Sequence, residues 1–314
     1  SPMSKIPSIP DDTRTEPSRR TPPSDAASAT AGSHARARPP VARHHASFKA
    51  LLTDAIVLGI LLTSICAPLL PIAGPTDVDY KARLAPPSWT HPMGTDNLGR
   101  DMLSRVIYGA QIDLAVGFVT VFASMIIGIT LGMIAATFRG PLEVIIMRTV
   151  DALLAFPFIV LVLAIVAIIG PGLNGVLIGM IGVGWSVYAR ITFAEMLALK
   201  ERQFMLAART LGYTETRILF RHAFPNLLRP NIAFSISDVI LNILGLAGLS
   251  YLGAGVKPPA PEWGALISGG QQFLANGWWI STLPGLAIVV TGIGFTLLGE
   301  GVSDALGTQS EEAR

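Results

Sequence analysis

The residues with the chemistry to bind or move charge are a few ionisable side chains that stand inside long apolar stretches. Arg148 and Asp151 are three positions apart, so on a helix they share a face and can pair. Asp238 has no obvious partner nearby in the sequence, which predicts that it faces a cavity or another helix. This set is sparse for a proton relay, although one carboxylate could suffice. The pattern therefore favours an external source of energy.

The chain carries no motif that would supply that energy or a catalytic centre. It has no G-x-x-x-x-G-K-[ST] phosphate loop and no Gly-Lys dipeptide, and it has no H-E-x-x-H zinc motif. Residues 248–253 miss the G-x-S-x-G spacing of a serine nucleophile by one position, so Ser250 is interpreted as a helix-end serine. His34, His44 and His45 lack a carboxylate or cysteine that would complete a metal site. We predict no catalytic residue and no metal site.

The composition places these groups in a membrane protein. Of the 314 residues, 51% are hydrophobic and 14% are charged, and the mean hydropathy is +0.54, which is too apolar for an ordinary soluble domain. A helix needs about 20 mostly apolar residues to cross a bilayer. Glycines at helix-face spacing, such as Gly128 and Gly132, would let such helices approach closely. We predict an all-α membrane protein with six spans at residues 51–70, 112–137, 142–169, 173–188, 232–252 and 280–298.

The distribution of positive charge predicts the orientation of these spans. Six spans place both termini on one side of the membrane. With Arg148 counted at the end of the third span, 18 of the 23 Lys and Arg residues fall on that side. Because positive residues are retained on the cytoplasmic side, this split predicts that the N-terminus and the C-terminus are both cytoplasmic.

The remaining segments give the domain organisation. Residues 1–46 contain almost no large apolar side chains, so they are predicted to be a disordered cytoplasmic tail and not a signal peptide. Residues 47–108 would hold the first span and an extracytoplasmic segment. Residues 109–303 would form the main transmembrane domain with a cytoplasmic loop at 190–230, and residues 304–314 a cytoplasmic C-terminal tail.

The cytoplasmic loop is charged and amphipathic, and its local signals predict two helices. Residues 190–211 are expected to form the first helix. Gly212 is expected to end it with a positive φ angle, because glycine has no Cβ to clash in that conformation. The second helix would begin at Thr214 and end before Pro225. Such a compact element can transmit rigid-body motion between this chain and a partner.

Four blocks of the sequence, in order, resemble the DppC/OppC-type permease subunits of peptide ABC importers. They are HPMGTDNLGRD at 91–101 with LSRVIYGA at 103–110, MRTVD at 147–151 with FP at 156–157, the charged segment 198–230, and LSYLG at 249–253 with PEWG at 261–264 and PGLAI at 284–288. Together they cover about residues 47–307. The resemblance implies the type I ABC importer permease fold in the cytoplasmic (inner) membrane of a bacterium.

The resemblance also implies a role for the charged segment, which is similar to the EAA loop that docks onto an ATPase subunit in this family. The ATPase-coupling residues would then be Gln203, Phe204, Leu206, Ala207, Ala208, Leu211, Gly212 and Pro225. The small Ala207 and Ala208 would let a partner surface come close. Two positions depart from the family pattern: Leu206 stands where the motif has its glutamate, and His222 replaces an aliphatic residue.

A second set of residues is expected on the extracytoplasmic side. In the resemblance, Gly94, Thr95, Asp96 and Trp263 belong to a loop that faces the binding protein or acts as a gate. The first three could equally form only a turn that fixes entry to the next helix, with Asp96 as its cap. The intramembrane polar candidates are Arg148, Asp151 and Asp238.

The implied partners are a homologous permease subunit, two ABC ATPase subunits, an extracytoplasmic substrate-binding protein and the lipid bilayer, with no nucleic acid. ATP and magnesium would be bound by the ATPase subunits, so this chain itself would hold no cofactor. The resemblance implies import of di- or oligopeptides. The same scaffold also serves haem, nickel or glutathione, and a secondary transporter, a channel subunit or a receptor-like scaffold remains the alternative from a different class.

Overall fold

The computed structural model describes residues 55–138 and 140–306, and this part of the chain is helical. The predicted tail at 1–46, the histidines His34, His44 and His45, and residues 307–314 lie outside the described residues. Within them the backbone forms helices and no strand. The helices are α1 (Ala55–Ile65), α2 (Met102–Thr137), α3 (Pro141–Leu154), α4 (Phe158–Ile169), α5 (Leu173–Lys200), α6 (Gln203–Thr210), α7 (Glu215–Ile218), α8 (Phe224–Tyr251), α9 (Trp263–Gly270) and α10 (Trp279–Leu306).

Four helical runs are long and apolar enough to cross a membrane: α2, α5, the run from α7 through α8, and α10. The pair α3 and α4 makes a fifth only if it counts as one span, because the two helices are bent by 98°. The prediction of one continuous span at 142–169 is therefore wrong in its geometry. Pro157 is the cause, because proline has no N–H to donate and disfavours a helical conformation at the preceding residue.

Several helix ends differ from the predicted spans. Within the described residues, α1 ends at Ile65 and is followed by the 3₁₀ turn Ala67–Leu69, so the helix does not reach residue 70. Helix α2 begins ten residues before 112, where the Asp101 carboxylate accepts a hydrogen bond from the Ser104 N–H at 2.9 Å. Helix α5 continues to Lys200, and α10 continues to Leu306. Hydropathy locates the apolar part of a helix, whereas backbone hydrogen bonding continues beyond it.

Helices α2 and α5 pack against each other over much of their length. Gly128 and Gly132 of α2 lie directly on the α5 backbone at Tyr188 and Ala189, where a Cβ on either glycine would overlap α5 atoms. Close backbone contact of this kind is favoured in lipid, where helices gain little from burying apolar surface. The predicted role of the glycine spacing is confirmed for this pair.

Buried polar side chains join α8 to the same two helices. The Thr120 hydroxyl of α2 donates to Asn242 Oδ1 of α8 at 3.1 Å, and Asn231 Nδ2 of α8 donates to Thr192 Oγ1 of α5 at 3.1 Å. Thr120, Thr192 and Asn231 are fully buried. Because a buried polar group without a partner is costly, these pairs favour one arrangement of the three helices.

Candidate functional site

The charged loop folds into a compact element of two short helices, which we call the knob (residues 201–223). Helix α5 ends at Lys200, and after Arg202 adopts an extended conformation the chain starts again as α6. The prediction of one helix over 190–211 is therefore wrong. The break has a packing reason, since it turns Met205 and Ala208 towards the buried cluster around Met133.

The turn after α6 is closed by backbone hydrogen bonds. The Tyr213 N–H donates to the Ala208 carbonyl at 3.2 Å, and the Gly212 N–H donates to the Arg209 carbonyl at 2.9 Å, which together form a Schellman motif. Gly212 has a φ angle of 75°, the left-handed conformation that its sequence position predicted. The local signal was sufficient here because the conformation depends on one residue.

Helix α7 begins at the predicted place but does not end where it was expected. Thr214 caps it by accepting a hydrogen bond from the Arg217 N–H at 3.4 Å. The chain then passes through the π-helical turn Leu219–Ala223 and continues into α8. The prediction that the second helix ends before Pro225 is wrong. Pro225 is the second residue of α8 and directly follows the π-helical turn, so the helical run continues through it.

Three contacts between side chains hold the short helices of the knob together. Arg209 Nε of α6 lies 3.3 Å from Glu215 Oε1 of α7. The Arg217 guanidinium lies 4.3 Å from the centre of the Tyr213 ring, and the same ring stacks against His222. These contacts join α6, the Gly212 turn and α7 into one unit.

One face of the knob is buried within this chain. Met205, Ala208 and Ile218 are at most 5% exposed and pack against Met133 and Met196. The expectation that Ala208 lies at a partner surface is therefore wrong. Its small side chain instead lies in the buried cluster that also holds residues of α2 and α5. The knob is thus fixed to these two helices by apolar contacts.

The opposite face of the knob is apolar and exposed. Phe204 is 43% exposed and Leu206 is 49% exposed, while Gln203 and Ala207 beside them are also exposed. Leu211 at the turn is 72% exposed. Phe220, at 64%, belongs to the same element and was not singled out in the sequence, although it stands in the same charged segment. Large apolar side chains on one exposed element indicate a surface that another protein covers.

Gly94, Thr95 and Asp96 form a buried turn ahead of α2. The Thr95 hydroxyl accepts from the Ala85 N–H at 2.9 Å. The Asp96 carboxylate accepts from the N–H groups of Leu98 and Arg100 at 2.8 and 3.0 Å. The sequence interpretation of a turn is correct, but its cap is not Asp96. That role belongs to Asp101, because the carboxylate of Asp96 is used within the turn.

Two tryptophans attach this turn and the α9 helix to the rest of the domain. Trp279 Nε1 of α10 donates to the Thr95 carbonyl at 2.9 Å. Trp263 is 2% exposed, and its Nε1 donates to the Val106 carbonyl of α2 at 2.9 Å. Trp263 and the Gly94–Asp96 turn are therefore covered by the atoms of this chain. Two aromatic side chains of the loop ahead of α2, Tyr80 and Trp89, are exposed instead, and the sequence analysis selected neither.

A pair of buried carboxyl groups was also missed. Asp113 of α2 and Glu262 at the start of α9 are both 0% exposed and interact with each other. Glu262 accepts from the N–H groups of Gly264 and Ala265 at 2.8 and 2.7 Å, and Asp113 Oδ2 accepts from the Trp263 N–H at 3.1 Å. The only sequence signal was the acidic residue of the PEWG block, because the two groups are distant in the chain.

The intramembrane candidates fall into two separate places. Arg148 NH1 lies 3.9 Å from Asp151 Oδ2, as their spacing predicted, and Asp151 also pairs with Arg190 of α5. All three side chains are exposed to a large extent, so this group is an ion-pair network between α3 and α5. Asp238 is half-buried on α8 and accepts a hydrogen bond from the Tyr188 hydroxyl at 2.8 Å.

Comparisons with known proteins extend over most of the described chain. Residues 128–308 match the family described as "Binding-protein-dependent transport system inner membrane component". The dipeptide transport system permease protein DppC of Alkalihalophilus pseudofirmus is 38% identical over 251 residues, which are 80% of this chain and 83% of that protein. The di/tripeptide transport system permease protein DppC of Pseudomonas aeruginosa is 37% identical over 266 residues, with 82% and 88% covered.

Two further matches widen the comparison. The glutathione transport system permease protein GsiD of Pectobacterium atrosepticum is 37% identical over 238 residues, which are 76% of this chain and 79% of that protein. The solved structure of an inward-facing conformation of the MetNI methionine ABC transporter aligns with a TM-score of 0.55 at 20% identity, and covers 65% of this chain and 97% of that chain. At that identity the structural likeness concerns the fold alone.

Proposed function

The chain belongs to the family of binding-protein-dependent transport system inner membrane components, and from this premise we propose that it imports di- and oligopeptides as one permease subunit of an ATP-driven importer. The observation that carries the proposal is that relatives at 37–38% identity, matched over most of their length, are peptide transport permeases. The relative named for glutathione, which is itself a peptide, makes glutathione the second candidate substrate.

We further propose six spans with cytoplasmic termini, in the inner membrane of a bacterium. The long helices α2, α5, α7–α8 and α10 support four of these spans, the bent pair α3–α4 would be a fifth, and the shorter apolar helix α1 would belong to the sixth. The excess of Lys and Arg residues on one side supports the orientation. In this arrangement the knob lies on the cytoplasmic side and the Gly94–Asp96 turn on the outer side.

The knob is the proposed docking element for an ATPase subunit. Its exposed side chains, Phe204, Leu211 and Phe220, offer apolar contact area, while its buried side fixes it to α2 and α5. A force on the knob would therefore reach α2 and α5. ATP and magnesium are bound by two ATPase subunits in this proposal, and the chain itself catalyses no reaction.

The remaining proposed partners are a homologous permease subunit and an extracytoplasmic binding protein. One chain with six spans would line half of the path, so a second permease is needed to enclose it. The outer loop carries the fully exposed Trp89, and an aromatic residue on a loop rich in proline suits contact with a protein that delivers substrate.

Reconstitution of the complete complex in liposomes tests the proposal. The complex with its binding protein should take up radiolabelled alanyl-alanine only when ATP is present on the side of the membrane where the ATPase subunits lie. Uptake of glutathione is measured in parallel. Uptake without ATP would assign the chain to the secondary transporters. A complex that hydrolyses ATP but transports neither compound would contradict the proposed substrate class.

A further inference from the structure

A cavity of about 580 Å³ lies beside the break between α3 and α4. Pro157 and Phe158 form one wall, Gly184 of α5 lies on another, and Phe234 and Asp238 of α8 complete it. The bend at Pro157 directs α4 away from α3 and leaves this space open. Its volume is in the range of pockets that hold small organic ligands.

Asp238 is the single ionisable residue in the described lining of this otherwise neutral cavity. Tyr188, fully buried on α5, donates its hydroxyl hydrogen bond to Asp238 Oδ2 and holds the carboxylate in one position. No Lys, Arg or His of the described residues forms an ion pair with Asp238. The carboxylate is thus oriented by Tyr188 but has no counter-charge among the residues that the structure describes.

A half-buried carboxylate with no cation nearby favours a ligand that brings a positive charge. Aromatic rings in the cavity strengthen that preference, because ring faces attract cations. Phe158 and Phe234 both line the cavity, and the Phe234 ring stands edge-on to Tyr188 with 5.3 Å between the ring centres. An ammonium group attached to a small, partly apolar molecule matches these surroundings.

We propose that this cavity faces the transport path and binds the cationic amino group of the transported peptide, with Asp238 as its counter-charge. The inference rests on the proposed import of peptides and names the site at which the substrate is recognised inside the membrane. Leu241 lines the same cavity and is 59% exposed, so the cavity opens at the surface of this chain. That surface is where the path between two permease subunits would lie.

The first experiment measures uptake of alanyl-alanine by the reconstituted complex with substitutions at Asp238. Asp238→Asn should lower uptake by about 10- to 100-fold, the range expected for one hydrogen bond to a charged group, while Asp238→Glu should recover part of it. Tyr188→Phe removes the hydrogen bond that orients the carboxylate but keeps its charge, so it should lower uptake less than Asp238→Asn does. Complex assembly should match the wild type in all three.

Two results of this experiment would overturn the inference. Wild-type uptake by Asp238→Asn would mean that the carboxylate does not bind substrate. Equal losses in Asp238→Asn and Tyr188→Phe would mean that the hydrogen bond between α5 and α8 has only a structural role. If the wild-type complex takes up neither alanyl-alanine nor glutathione, the proposed substrate class is contradicted, and a second experiment tests the cavity separately.

The second experiment needs no substitution of Asp238 and no transport. Leu241→Cys in a Cys66→Ala background places a single thiol in the cavity. This thiol should react faster with an ammonium-bearing methanethiosulfonate than with a sulfonate-bearing one. The ratio of the two reaction rates should be at least 10-fold larger than the same ratio measured with free 2-mercaptoethanol. A ratio equal to that of the free thiol would show that the cavity has no preference for a cation, and the proposal would be wrong.

Discussion

Gly212 offers the sharpest test of the knob, because its substitution changes the backbone and nothing else. Its φ angle is 75°, and a Cβ built at this position meets no atom within 4 Å. A larger side chain therefore has room, and only the left-handed conformation opposes it. That conformation costs an ordinary L-residue about 1–2 kcal/mol, and the cost is greater for a β-branched residue.

The expected effect follows from this energy. A cost of about 1–2 kcal/mol lowers the ratio of the native turn to its alternative conformations by about 5- to 30-fold. The ion pair between Arg209 and Glu215 is exposed and therefore contributes little stability, so it does not offset the cost of the left-handed conformation. Gly212→Val should therefore uncouple the complex: uptake of alanyl-alanine per ATP hydrolysed falls by at least about 5-fold, while the amount of protein in the membrane is unchanged.

Two matched variants control for the chemistry of the substitution. Gly212→Asn should remain closer to the wild type, because asparagine tolerates the left-handed conformation better than valine. Gly248→Ala adds a methyl group within α8 at another glycine whose Cβ position is free of contacts, and should leave coupling unchanged. Wild-type coupling in Gly212→Val, with normal assembly, would refute the view that this turn positions the docking surface.

Two further predictions concern orientation and the buried side of the knob. With Cys66→Ala as background, Thr90→Cys should react with a membrane-impermeant maleimide in intact cells, whereas Glu201→Cys should not. Labelling of Glu201→Cys would reverse the proposed orientation. Ala208→Glu should reduce the amount of this chain that is stably folded in the membrane, because it buries an unpaired charge at a cost of several kcal/mol, whereas Ala207→Glu on the exposed side should leave that amount unchanged. Equal amounts of both variants in the membrane would contradict the packing of α6.

The features that the sequence determined alone are those that depend on composition or on residues close together in the chain. The apolar composition indicated a helical membrane protein, and the apolar stretches located its long helices, although some ends differ by ten residues or more and the stretch 142–169 is divided into two helices. Gly212 and Thr214 determined the turn and the cap of the knob, because a positive φ angle and a capping hydroxyl act on the next few residues. The spacing of Arg148 and Asp151 likewise predicted their pairing.

Only the tertiary structure decided which distant groups meet and which faces are covered. Asp238 obtains its partner from Tyr188, fifty positions away, and Asp113 contacts the start of α9 some 150 positions later. The same dependence on packing turned Ala208 inward and broke the predicted first helix after Lys200. Local propensity extends over a turn or two of helix, whereas these contacts exist because separate helices bury their surfaces against each other, and no short stretch of sequence contains that information.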